Sequence, residues 1–127
     1  AYTYSERLAM HRQVRRVIER LKQDPDSRQG YITIWESEDS IKLGGLSRVP
    51  CSLGYYIQVR DKKVNLTYLQ RSCDFHTHFK NDIALANALL QYVKDELACY
   101  NNTYQLGNLT HWIGSLHLFK KDGEGVF

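Results

Sequence analysis

Three groups of side chains in this 127-residue chain are of the types that do chemistry. Cys51 follows Val49 and Pro50 where a polar loop gives way to a β-favouring run, a place where a thiol stays partly exposed. Cysteine attacks as its thiolate, which needs a cation or hydrogen-bond donors, and Arg48 or the later arginines are candidates to supply them. The other reading of Cys51 is a small buried hydrophobe. Gln70, Arg71, Ser72, Cys73 and Asp74 bring an amide, a guanidinium, a hydroxyl and a carboxylate to one strand end. The planar guanidinium fork suits a phosphate, and a solvated strand end is the alternative. The third group, His76, His78 and Asp82 with Cys73 nearby, has metal-ligand residue types without a recognised ligand spacing, so no metal site is expected. Asp82 then reads as a helix cap.

These groups need elements to hold them. Leu8, Val14, Val17, Ile18 and Leu21 recur near a 3.6-residue period between Ser5 and the turn residues Asp24, Pro25, Asp26 and Ser27, and predict an amphipathic helix. Residues 31–35 are β-branched and aromatic and too few for a helix, so they predict a strand. A polar, glycine-containing loop at 37–50 leads to two β-favouring runs, 53–59 and 64–69, joined as a hairpin through Arg60, Asp61, Lys62 and Lys63. Ile83, Ala86, Leu89, Leu90, Val93 and Leu97 repeat at helical spacing, with Asn81 or Asp82 as the cap. Residues 104–119 predict one or two final strands. The sum is an α+β domain, a mixed or mainly antiparallel sheet with the 83–97 helix packed on it and the first helix alongside.

The length allows one modest core, so residues 1–127 read as a single domain. Seventeen Lys and Arg against 14 Asp and Glu make it mildly basic, and the charges are dispersed, which favours small anions over a nucleic-acid groove. No apolar run approaches a membrane span and no signal peptide is evident, so a cytoplasmic protein is expected, with no membrane or nucleic-acid partner. Cys51, Cys73 and Cys99 are odd in number and widely spaced, pointing to reduced thiols. The chain starts at Ala1 and stops at Phe127 just after Asp122, Gly123, Glu124 and Gly125, and a fragment of a longer protein is expected.

The run PCSLGYYIQVRDKKVNLTYLQRSCDF, beginning at Pro50, resembles the catalytic stretch of the thymidylate synthase and deoxycytidylate hydroxymethylase family: a Pro-Cys pair, a hairpin, then Gln-Arg-Ser-x-Asp. DPDSR, ending at Arg28, resembles the family's phosphate loop, and GSLHLF, from Gly114 to Phe119, its sugar-binding segment. Four ordered motifs are far more specific than any one of them, and together they cover nearly the whole chain. The resemblance implies that Cys51 adds to carbon 6 of a pyrimidine and makes carbon 5 a nucleophile toward the one-carbon unit of 5,10-methylenetetrahydrofolate. It implies that Arg71 and Ser72 hold the 5′-phosphate of a nucleoside monophosphate beside Gln70. Arg28 would reach the phosphate of a neighbouring subunit, which makes a homodimer with sheets packed face to face. Asp74 would lie against the pyrimidine, and His117 would contact the sugar 3′-hydroxyl.

Departures from the family pattern carry the finer expectations. Asp82 stands where thymidylate synthases place the Asn that reads uracil, and Asp there is the hydroxymethylase pattern. A neutral amide suits uracil's donor at nitrogen 3 and acceptor at oxygen 4, whereas a carboxyl suits cytosine's amino donor. Phe119 replaces a Tyr whose hydroxyl joins the histidine at the sugar, which admits a ribonucleotide, and Ser52 replaces a His. The family's N-terminal segment with its catalytic glutamate, and its C-terminal segment that closes over folate, have no match here. The leading expectation is a one-carbon transferase that hydroxymethylates (deoxy)cytidylate. The alternatives are a thymidylate synthase acting on deoxyuridylate and a non-catalytic nucleotide-binding module of the same fold.

Overall fold

A computed structural model describes residues 4–46 and 48–120. The turn at Asp122 to Gly125 lies outside the described residues.

The first amphipathic segment is not one helix. Helix α1, Tyr4–Ala9, passes through a 3₁₀ turn, Met10–Arg12, into α2, Gln13–Gln23. His11 and Arg12 adopt left-handed backbone angles, with φ of 55° and 54°. The reason is already in the apolar spacing: Leu8 and Val14 are six residues apart, which would put them on different faces of a continuous helix. The kink realigns them, and both pack against the core. Gln13 seals the break, its amide nitrogen donating to Arg7 O and Thr33 O at 2.8 Å each while its amide oxygen accepts from Thr33 N at 2.9 Å.

Strand β1 is Tyr31–Thr33, shorter than the pattern implied, and a 3₁₀ segment, Ser37–Lys42, occupies part of the loop that follows. Strands β2, Ser52–Arg60, and β3, Lys63–Asp74, form the expected hairpin and extend it at both ends. Asp61 and Lys62 have positive φ, as a two-residue hairpin turn matching the twist of its strands requires. Helix α3, Phe79–Tyr100, then carries the chain over the sheet to β4, Gln105–His117, a single strand that pairs parallel to β3. A parallel pairing needs such a crossover, because no tight turn can return the chain in the same direction. The sheet order is β1-β2-β3-β4, with the first two pairings antiparallel.

Alternate residues of the hairpin, Tyr55, Ile57 and Val59 with Val64, Leu66 and Tyr68, join Val17, Ile18 and Leu21 of α2 and Ala86, Leu90, Val93 and Leu97 of α3 in one core. Each large side chain so buried stabilises the fold by about 1.5–3 kcal/mol before entropy is counted. Alternation turns Leu69 and Trp112, paired across β3 and β4, to the face opposite Tyr68 and His111. Trp112 is 52% exposed there, and Leu106 and Leu116 of the same edge strand are also exposed. Among the described residues no helix is long and apolar enough to cross a membrane.

Candidate active site

The site forms where β2 begins, β3 ends and α3 starts. Ser52 pairs with Gln70, and the Arg71 backbone N–H donates to Cys51 O at 2.7 Å, so Cys51 is held directly beside Arg71. The Arg71 guanidinium reaches Pro50 O at 3.4 Å and lies 4.0 Å from Cys51 Sγ. Arg71 is thus the arginine nearest the half-buried thiol, although it is exposed and outside the cleft lining, whereas Arg48, also exposed, lines the cleft. A cleft of about 700 Å³ opens in front, lined by Cys51, Gln70, Ser72, Cys73, Asp74 and Asp82, and by Tyr4, Arg7, Lys42, Arg48, Val49 and His78.

Cys73 also faces this cleft but is a different kind of thiol. It is buried, and burial, with the Asp82 carboxylate 3.8 Å away, pushes its pKa up to about 11. It stays protonated at neutral pH. Cys99 is exposed on α3, away from the cleft lining.

Asp82 does not cap α3. The N-cap residue is His78, without a side-chain cap, and Asp82 lies inside the first turn with its own N–H donating to His78 O at 2.9 Å. Its carboxylate is turned to the sheet, where Oδ2 accepts from Gln70 Nε2 at 2.7 Å. Gln70 is 1% exposed, and its Oε1 lies 2.7 Å from Nε2 of His111 on β4. Asn81, the other candidate cap, is exposed.

Asp74 closes β3 by accepting from the backbone N–H groups of His76 and Thr77 at 3.1 and 3.4 Å. Burial raises its pKa, but the hydrogen bonds from Thr77 and His76 and the nearby His117 outweigh this and hold it below its ordinary 3.8. His117 pairs with Asp74 across β3 and β4, and its carbonyl accepts from Phe75 N at 2.8 Å. Phe119 sits edge-on to the His117 ring with centroids 5.3 Å apart and is half exposed. Neither His117 nor Phe119 lines the cleft itself. Arg28 is exposed and away from the cleft lining, its carbonyl held by the Tyr56 hydroxyl at 2.9 Å.

Ser52 has a packing role. It is fully buried, its hydroxyl hydrogen-bonds to the Tyr68 hydroxyl, and burial pushes the Tyr68 phenol well above its usual range. Arg7 and Asp39, which sequence reasoning passed over, form a bidentate pair at 2.9 and 3.0 Å with side chains 9% and 1% exposed. This pair fastens the 3₁₀ segment carrying Lys42 to α1. Nothing in the local pattern marks Arg7 or His111, whose side chains act on partners more than 25 residues away, whereas Asp39 also accepts from Glu36 N three residues back, a capping-box spacing. Among the described residues no group of three or more His, Cys, Asp or Glu side chains could hold a metal.

The arrangement joins a cleft-facing thiol under a guanidinium, a hydroxyl and two carboxylates, which suits nucleophilic attack on a ring bearing an anionic group. The profile of the family described as thymidylate synthase matches residues 3–126. A Methanosarcina barkeri protein, provisionally named a thymidylate synthase, is 31% identical over 129 residues, covering 98% of this chain and 56% of its own length. The thymidylate synthase of Buchnera aphidicola subsp. Schizaphis graminum is 28% identical over 112 residues, 88% of this chain and 39% of its own. The chain thus spans about half, or less, of the length of the curated relatives it matches. Among solved structures, a thermostable thymidylate synthase A from Bacillus subtilis superposes with a TM-score of 0.69 at 24% identity, covering 84% of this chain and 35% of that one, and shares the fold. With its Pro-Cys pair, its Gln-Arg-Ser-x-Asp strand end and a profile match over nearly its full length, this chain belongs to the thymidylate synthase family.

Proposed function

We propose that this chain is the nucleotide-binding core of a one-carbon transferase acting on carbon 5 of a pyrimidine nucleoside monophosphate, with a cytosine nucleotide as the preferred substrate and hydroxymethylation as the outcome. The observation that carries the cytosine preference is the placement of Asp82: Oδ2 is taken by Gln70, while Oδ1 accepts nothing from the described residues and is available to a base in the cleft. A carboxylate accepts only: it takes the amino hydrogen of cytosine and, once nitrogen 3 gains a proton during reaction, that hydrogen too, whereas uracil offers one donor and its oxygen 4 is opposed.

In this reading the Cys51 thiolate, formed beside the Arg71 guanidinium, adds to carbon 6. The new S–C6 bond sends the ring's electron pair to carbon 5, which becomes the nucleophile. Arg71 and Ser72 hold the phosphate, as charge-assisted hydrogen bonds from a planar fork favour. Asp74 lies against the ring, and His117 and Phe119 border the sugar. Lys42 and Arg48 on the cleft, with the exposed Ile41, Leu43 and Leu46 beside them, suit the flat ring and carboxylates of a folate. 5,10-Methylenetetrahydrofolate would supply the one-carbon unit when bound. The exposed Trp112 and Leu116 mark the sheet face on which a second copy would pack, with its Arg28 reaching this subunit's phosphate site. A cytoplasmic setting accompanies this reading.

The second reading, methylation of deoxyuridylate, draws on the names carried by the relatives. Calorimetric titration with deoxycytidylate, cytidylate and deoxyuridylate separates the two. A cytosine preference that Asp82→Asn moves toward uracil supports the proposal. Preference for deoxyuridylate in the unsubstituted chain sinks its cytosine part, and failure of all three nucleotides to bind a longer version of the protein sinks the nucleotide assignment.

A further inference from the structure

The part-buried contact between Gln70 and His111 serves nothing in the chemistry above, yet it has a direction that follows from the donors and acceptors alone. An amide can present either end, and its partners decide which. The Asp82 carboxylate can only accept, so the Gln70 nitrogen faces it at 2.7 Å. Gln70 Oε1 must then face His111 Nε2, also at 2.7 Å, and because an amide oxygen only accepts, Nε2 carries the proton. His111 Nδ1 is left as a bare nitrogen, buried and without a hydrogen-bond partner among the described residues. The ring is also held from both sides, stacked on Tyr68 at 4.6 Å and 9° and near Phe79 at 5.8 Å and 20°. Burial lowers its pKa below the ordinary 6.5, against the pull of Asp82.

We propose that His111 is a specificity-determining positioning residue: by donating to Gln70 it locks the amide nitrogen onto Asp82, so that Asp82 meets the base as an acceptor and selects a ring bearing an amino group. Without that lock the amide can turn over and point its oxygen at Asp82, an arrangement satisfied only by a protonated carboxyl. A protonated carboxyl both donates and accepts, as an amide does, and uracil is then no longer opposed. The relay crosses three elements, β4 to β3 to α3, and acts on the base through Asp82 alone. This inference rests on the reading of Asp82 as the residue that meets the base.

Two measurements test it. In the first, ¹⁵N spectra of the imidazole report the tautomer with no ligand present. A ring that carries a proton on Nε2 through the neutral pH range is expected, and a ring protonated at Nδ1 alone overturns the proposal. In the second, the ratio of calorimetric affinities for deoxycytidylate over deoxyuridylate is compared among the unsubstituted chain, His111→Phe, His111→Gln and Asp82→Asn, after thermal melts establish that each is folded. His111→Phe keeps a stacked ring without a donor and should lower the ratio on the order of tenfold. His111→Gln restores an N–H and should recover most of it. An unchanged ratio in folded His111→Phe, with Asp82→Asn still shifting it, overturns the role of His111 alone. An unchanged ratio in Asp82→Asn removes the base-reading assignment and this inference with it. Should His111→Phe not fold, the tautomer decides.

Discussion

The Arg71 guanidinium lies 4.0 Å from Cys51 Sγ, and the same two residues are tied by a backbone hydrogen bond of 2.7 Å. The sheet itself therefore brings the cation to the thiol, since moving either residue requires unpairing the ends of β2 and β3. A negatively charged sulfur at Cys51 would face the positive charge of Arg71 at the rim of the cleft. Arg71→Ala should slow alkylation of Cys51 by iodoacetamide by up to about fivefold, read by mass spectrometry of the Cys51 peptide. Unchanged kinetics would show that the guanidinium does not activate the thiol.

Cys73 supplies an internal contrast. Burial and the Asp82 carboxylate hold its thiol protonated up to about pH 11, so it should remain unlabelled in the native chain at neutral pH while exposed Cys99 reacts. Asp82→Asn removes the nearby negative charge and should make Cys73 more acidic. Faster labelling of Cys73 at alkaline pH in that variant is the expected sign.

Asp39 accepts two hydrogen bonds from Arg7 and one, at 2.8 Å, from Glu36 N. Asp39→Asn breaks a buried charge pair and should cost about 3 kcal/mol in urea unfolding, with loosening of the Lys42 segment. The bond from Arg7 is the main cause that lowers the Asp39 pKa below its ordinary 3.8. A carboxylate shifted down contributes stability that is full above 3.8 and is lost as pH falls below it. The acid limb of the stability profile should therefore shrink in Asp39→Asn, and an identical limb would contradict this.

His111 predicts a second pH dependence, at higher pH. Burial lowers its pKa below 6.5, with Asp82 opposing. As pH drops below 6.5 the unfolded chain takes up a proton that the folded chain resists, so stability falls in that window and recovers above it. Urea midpoints should decline from about pH 7 to about pH 5 in the unsubstituted chain and less in His111→Phe. Equal slopes would place the titrating group elsewhere.

The exposed edge of β4 makes a prediction about assembly. If a second copy covers this face, Trp112→Arg places a charge in an apolar contact and should shift the sedimenting species toward the monomer, leaving the far-ultraviolet circular dichroism unchanged. A monomeric unsubstituted chain would remove the face-to-face dimer from the proposal.

Much of this protein was determined by the sequence alone, because local period encodes burial. Alternation marked the 53–59 and 64–69 hairpin, helical spacing marked α3 from Ile83 to Leu97, and the ordered motifs around Cys51, Arg71, Ser72 and Asp74 named the family that the profile match then showed. Even the kink at His11 and Arg12 was latent in the six-residue step from Leu8 to Val14, although it was read through as one helix. Only the tertiary structure decided which arginine meets Cys51, that Asp82 faces Gln70 and caps nothing, and that His111 stands behind them both. Residues 70, 82 and 111 are linked by the register of a parallel strand pair and the placement of the crossover helix between them. Both are products of packing over a shared core, and neither leaves a mark on the spacing of neighbouring residues.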